Sequence, residues 1–94
     1  HPAFRSLVEA SLFLDMAVRL LHERGAADRK AAFSVSPRDV SSFRGEKNGN
    51  IRELQKRFGL QEIVIHTAPE LERGSLVLSE GTRVISKLKR TDQF

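Results

Sequence analysis

The stretch Gly45-Glu46-Lys47-Asn48-Gly49-Asn50 has the makings of an anion cradle. Two glycines and two asparagines surround a lysine, with apolar, helix-like sequence on either side. A turn with so little side-chain bulk lets backbone amides at the start of the following helix approach an anion such as a phosphate. Arg44, Lys47, Arg52 and Lys56 would supply a positive field, and Glu46 would oppose it. Arg52 and Lys56 fall one turn apart on a flank of the second helix. The same residues serve equally well as a plain joint between two helices, because glycine and asparagine are ordinary turn formers.

Other groups offer less. His1, His22 and His66 stand apart in sequence, without a carboxylate or second histidine at ligand spacing, so no metal site is expected. No serine sits in a Gly-x-Ser-x-Gly elbow or has an identifiable base. Glu70 and Glu72 could cooperate as acid and base only if burial separated their pKa values, and their loop context gives no sign of that. A non-catalytic binding or assembly module without cofactor is therefore expected.

Composition sets the frame. Ninety-four residues with 39% apolar content suit one domain, near the lower end of comfortable single-core size. A chain beginning at His1 without an initiating methionine is expected to be a fragment of a longer protein. The absence of cysteine excludes disulfides and thiolate chemistry and fits a reducing, cytoplasmic location. The most apolar stretch, Leu7 to Leu21, is too short and, with Glu9, Asp15 and Arg19, too charged to enter a bilayer as a span. Net charge is +4, unevenly placed. Residues 38 to 57 hold six basic and three acidic side chains, 58 to 82 one and four, and 83 to 94 four and one. Two basic segments thus flank an acidic one, a pattern that attracts polyanions or simply solvates a surface.

The elements that must position these residues follow from periodicity. Residues 4 to 24 predict a long helix, with Phe4, Leu7, Val8, Ser11, Leu14, Val18 and Leu21 in one row, Leu12, Phe13, Met16, Ala17 and Leu20 in a second, and Gly25 at its end. A short strand is expected over Ala31 to Val35. Ser36-Pro37-Arg38-Asp39 then reads as a helix start, with Ser36 as N-cap and Pro37 at the first helical position. That helix should break at Gly45. Another is expected to follow Asn50, capped by its side chain with Glu53 reaching back, to bury Ile51, Leu54 and Phe58 and to stop at Gly59. Glu62 to His66 predicts a buried strand, and "GSLVLS", the turn Glu80-Gly81 and "TRVISKL" predict a hairpin. The order αβααβββ implies an α+β domain with helices on one face of a small mixed sheet.

Three families are resembled. The block Val35 to Ile65 is similar to the core of a KH domain, a strand, helix, glycine loop, helix and strand that binds single-stranded RNA or DNA. Gly45 to Ile51 has the spacing of the family's Gly-x-x-Gly loop and its following apolar residue, with Asn48 at the second glycine's place. Asp39 and Val40 sit where related sequences often carry an acidic-aliphatic pair. The resemblance implies phosphates held around Gly45 to Gly49, a field from Arg44, Lys47, Arg52 and Lys56, and bases resting on Ile63 and Ile65. It also requires the later hairpin to complete the sheet, since one strand fits before the loop. Without tyrosine or tryptophan, such binding would be weak and salt-sensitive.

Over nearly its whole length the chain also resembles the carboxy-terminal domain of the flagellar and type III secretion stator family, which regulates and anchors the secretion ATPase and is akin to rotary-ATPase peripheral stalks. Val35, Pro37, Asp39, Pro69, Leu71, Gly74 and Gly81 carry that likeness, while Ile85, Ser86 and Lys87 replace its usual acidic and small residues. It implies a protein partner such as the ATPase, with dimerisation through the first helix or flanking sequence. More faintly, Phe4 to Leu78 is similar to the small domain after the catalytic core of the ribonuclease E/G family, whose magnesium-binding carboxylates would lie outside this chain. Single-stranded nucleic-acid binding is the first expectation and protein assembly the alternative.

Overall fold

A computed structural model describes residues 2–25, 29–80 and 83–89. Helix α1 spans Pro2–Arg24, followed by strand β1, Lys30–Val35. A 3-10 turn, Pro37–Asp39, leads into the short helix α2, Val40–Arg44, and a second such turn, Glu46–Asn48, into α3, Gly49–Phe58. Strands β2, Glu62–Thr67, β3, Ser75–Glu80, and β4, Arg83–Lys89, complete an α+β domain. The expected order of elements is observed. Residues 81 and 82, which include the end of the expected hairpin turn, lie outside the described residues, as does His1.

The sheet order is β2-β1-β3-β4, with β1 parallel to β2 and antiparallel to β3, and β3 antiparallel to β4. The hairpin therefore supplies strands on the far side of β1. Register assigns the faces. Phe33 aligns with Ile65 and Leu78, and Val35 with Leu76, so these side chains share the face covered by the helices. Ala32, Ser34, Val64, Val77 and Ser79 alternate onto the opposite face.

One apolar cluster joins the layers, centred on Phe13, Phe33 and Phe43, all fully buried. Phe43 meets Phe13 edge-on at 6.3 Å between ring centroids and Phe33 in a tilted contact at 5.1 Å. Burial of each such ring stabilises the fold by about 1.5–3 kcal/mol. The His22 ring packs edge-on against Phe58 at 5.4 Å, tying the end of α1 to the end of α3.

Three expectations about local structure are corrected. The buried stripe of α1 is Phe13, Met16, Ala17, Leu20 and Leu21, whereas Leu7 and Val8 are exposed. Orientation explains this: Leu14 and Val18, in the same row as Leu7, are only partly buried beside the fully buried Phe13, Met16 and Ala17, so α1 turns the second row towards the core and leaves the first at its flank. Ser36 makes no side-chain cap; its backbone carbonyl instead accepts from the Asp39 amide at 2.8 Å. Strand β2 stands at the edge of the described sheet and is half-buried, because β1 is its neighbour on one side and the hairpin adds to the far side of β1.

Candidate functional site

The turn between α2 and α3 is built on three departures from ordinary helical backbone within four residues. Gly45 adopts φ 76° and ψ 171°, and Lys47 and Asn48 both take left-handed conformations near φ 54° and 59°. Asn48 tolerates this better than most residues, since its short polar side chain lowers the cost of positive φ. Gly45 is required: a Cβ there would lie 3.0 Å from Asn50 Cγ, in a backbone region closed to side chains. Gly49 lies in ordinary helical conformation with open space beside it, so the two glycines are not equivalent.

Asn50 is the residue that shapes the turn. It lies inside α3 rather than at its cap, because the left-handed pair reverses the chain before it; the residue at the N-cap is Asn48, without a side-chain cap bond. Its buried side chain points inward, and Nδ2 donates to Ala10 O at 2.8 Å, Phe43 O at 3.1 Å and Ser42 O at 3.5 Å. One amide thus brackets α1, α2 and α3 together. Glu53 does not reach back to a cap but pairs with Arg57 at 2.7 Å.

Several amides that a phosphate would need are already engaged. Gly45 N–H donates to Ser41 O at 3.0 Å, Asn48 N–H to Gly45 O at 3.2 Å, and Gly49 N–H to Glu46 O. Around this bracket Arg44, Lys47, Asn48, Arg52 and Lys56 are all exposed. The Arg52 guanidinium folds onto Lys47 O at 2.6 Å. Ile63 and Ile65 are half-buried on the helix-facing side of β2 and pack against the core.

A second constellation, 35 residues apart in sequence, lies at the end of the sheet. The Asp39 carboxylate, 2% exposed, accepts the Gly74 amide at 2.6 Å on Oδ2 and faces Arg73 Nε at 3.8 Å on Oδ1. Ala68 N–H donates to Val35 O at 2.8 Å. The loop from 68 to 74 is thereby fastened to the exit of β1. Beyond it Glu70, Glu72, Val77, Lys87 and Lys89 border an open groove of about 620 Å³. Lys89 Nζ contacts Glu72 at 2.6 Å, and this hydrogen bond and charge hold the exposed Glu72 carboxyl below the ordinary carboxylate range, the reverse of what a general acid needs. No local signal marks Asn50 or Asp39 for these roles, since their partners lie up to 40 residues away.

Among the described residues no group of three or more histidine, aspartate or glutamate side chains could hold a metal ion, and no helix is long and apolar enough to cross a membrane. Family models, curated proteins and solved structures were all compared with the chain, and none matches it.

Proposed function

We propose that this domain is a non-catalytic protein-assembly module, of the kind found in the stator that regulates and anchors the ATPase of flagellar and type III secretion. The observation that carries this is the Asp39–Gly74 bond. It joins two positions of the stator resemblance and draws Val35, Pro37 and the loop with Pro69 and Leu71 to one end of the sheet. The KH likeness stops at Ile65 and gives that loop no role. Leu7 and Val8, exposed on α1, offer apolar surface that a protein partner would cover. Purification from the native host should therefore recover a secretion ATPase, and a Leu7→Glu, Val8→Glu double variant should lose it without change in circular dichroism. Recovery of RNA and no ATPase would reverse the assignment.

The exposed basic cluster around Lys47 favours a second reading, weak single-stranded nucleic-acid binding through the turn. Arg44, Lys47, Arg52 and Lys56 would supply the field, with Gly45, Asn48 and Gly49 forming the close approach. On this reading Lys47→Asp lowers the affinity for short single-stranded RNA at least about tenfold at low salt, because it reverses a charge at the phosphate position. Fluorescence anisotropy reads this directly. Equal binding by wild type and variant, or none by either, leaves the turn as a helix joint.

A further inference from the structure

The two outer strands of the described sheet are defended very differently. β4 carries Lys87 and Lys89, and its pairing with β3 is irregular at Leu78/Ser79, features that discourage further strand addition. β2 reads Glu-Ile-Val-Ile-His-Thr and has neither lysine nor proline, and its register with β1 runs unbroken from Glu62 to Thr67. Its polar backbone has a definite direction. Glu62 N–H donates to Arg29 O at 3.4 Å and Ala68 N–H to Val35 O at 2.8 Å. In a parallel ladder alternate residues bond the same neighbour, so Glu62, Val64 and His66 face β1 and Ile63, Ile65 and Thr67 direct their N–H and C=O groups outward.

We propose that a second copy of this chain pairs antiparallel with β2 about a two-fold axis at Val64, continuing the sheet across the dimer. The register selects this occupant. With Val64 opposite itself, Ile63 meets the second copy's Ile65 and the reverse, and all four are outward-directed residues that can exchange both backbone bonds. Glu62 then lies opposite the second copy's His66, twice, on the sheet face away from the helices. Acidic therefore meets basic and aliphatic meets aliphatic at every position from 62 to 66. Centring the axis on Ile65 instead would place Val64 against His66 and Ile63 against Thr67, and that complementarity is lost. Slipping by one residue would turn the backbone bonds away from each other. This pairing depends on the edge of β2 and not on the identity of any secretion partner.

Sedimentation velocity on the full chain tests it, at concentrations up to roughly millimolar because a strand-edge contact lies at the small end of interface sizes. Wild type should reversibly dimerise. Val64→Lys and Val64→Glu should each weaken the dimer at least about tenfold, by placing like charges directly opposite, and an equimolar mixture of the two should restore it. The chain has no cysteine, so single replacements report the register. Val64→Cys should oxidise to a disulfide-linked dimer at least about tenfold faster than the more exposed His66→Cys, since Cα atoms facing across a non-hydrogen-bonded antiparallel pair are within bridging distance. A wild type that stays monomeric throughout, a dimer indifferent to Val64→Lys, or faster linkage through His66→Cys would each overturn the proposal.

Discussion

Asn50→Asp is expected to lower the stability of this domain by about 3–4 kcal/mol, despite being nearly isosteric, because a buried charge left facing carbonyl oxygens is among the costliest of single changes. The Asn50 amide donates to Ala10, Phe43 and Ser42 carbonyls; a carboxylate in its place can only accept. In a domain of this size that loss should lower Tm by roughly 12 °C or more. The pH dependence follows from the same geometry. Carbonyl neighbours disfavour the ionised form, so the introduced carboxyl has a higher pKa folded than unfolded. The deficit is then smallest below the unfolded value of about 3.9 and grows as pH rises through it. Thermal melts of wild type and variant at acidic and neutral pH measure both effects. Asn50→Ala, which removes the donor without adding charge, should cost less. A variant that melts with wild type at pH 7 would mean that the three helices do not depend on this bracket.

Asp39→Ala is expected to cost about 2–3 kcal/mol, since it strips the acceptor from a buried backbone amide. The Gly74 N–H that Asp39 satisfies is held at 2.6 Å, and Gly74 itself takes φ 84°, so the loop has little freedom to find another partner. The damage should be local. Hydrogen exchange at Gly74 and Ser75 should accelerate, while the amides of α3 keep protection closer to that of wild type. Asp39→Asn keeps an oxygen that can accept the same amide and loses the attraction to Arg73; it should recover about half of the loss. Equal destabilisation by alanine and asparagine would show that charge, and not the Gly74 bond, is what matters at this position. If this loop and the exit of β1 form a partner surface, Asp39→Ala should also weaken ATPase recovery more than its global stability change explains.

Much of the architecture could be read from local sequence because each element carries its own physical signal. The apolar rows from Leu7 to Leu21, the positive-φ glycines at Gly25, Gly45 and Gly59, and the alternation in Ser75 to Glu80 and Arg83 to Lys89 are properties of neighbouring residues. They depend on helix pitch, strand pleat and the missing Cβ of glycine, so element order and the α+β class were legible before any tertiary contact. The proximity of Arg44, Lys47, Arg52 and Lys56 to one turn is a matter of sequence spacing, and the structure adds that all four are exposed.

The rest depended on contacts between distant parts of the chain. Which row of α1 is buried was decided by how the helix is turned against the core, with Phe13, Met16 and Leu20 inward and Leu14 and Val18 at the flank, which two apolar rows in one helix leave open. Asn50 follows the cap pattern locally, yet its amide is committed to Ala10, 40 residues earlier, because the left-handed Lys47 and Asn48 start the helix sooner and turn the side chain into the core. Asp39 fits a first-turn acid, yet its partner is the Gly74 amide. Strand order, too, is tertiary: β2 becomes an edge only because β3 takes the other side of β1. Steric and periodic rules acting over a few residues set what each segment could be. Tertiary structure alone decided which polar groups meet and which edge is left to pair, because burial makes each hydrogen-bonding group find a partner wherever the fold brings one within reach.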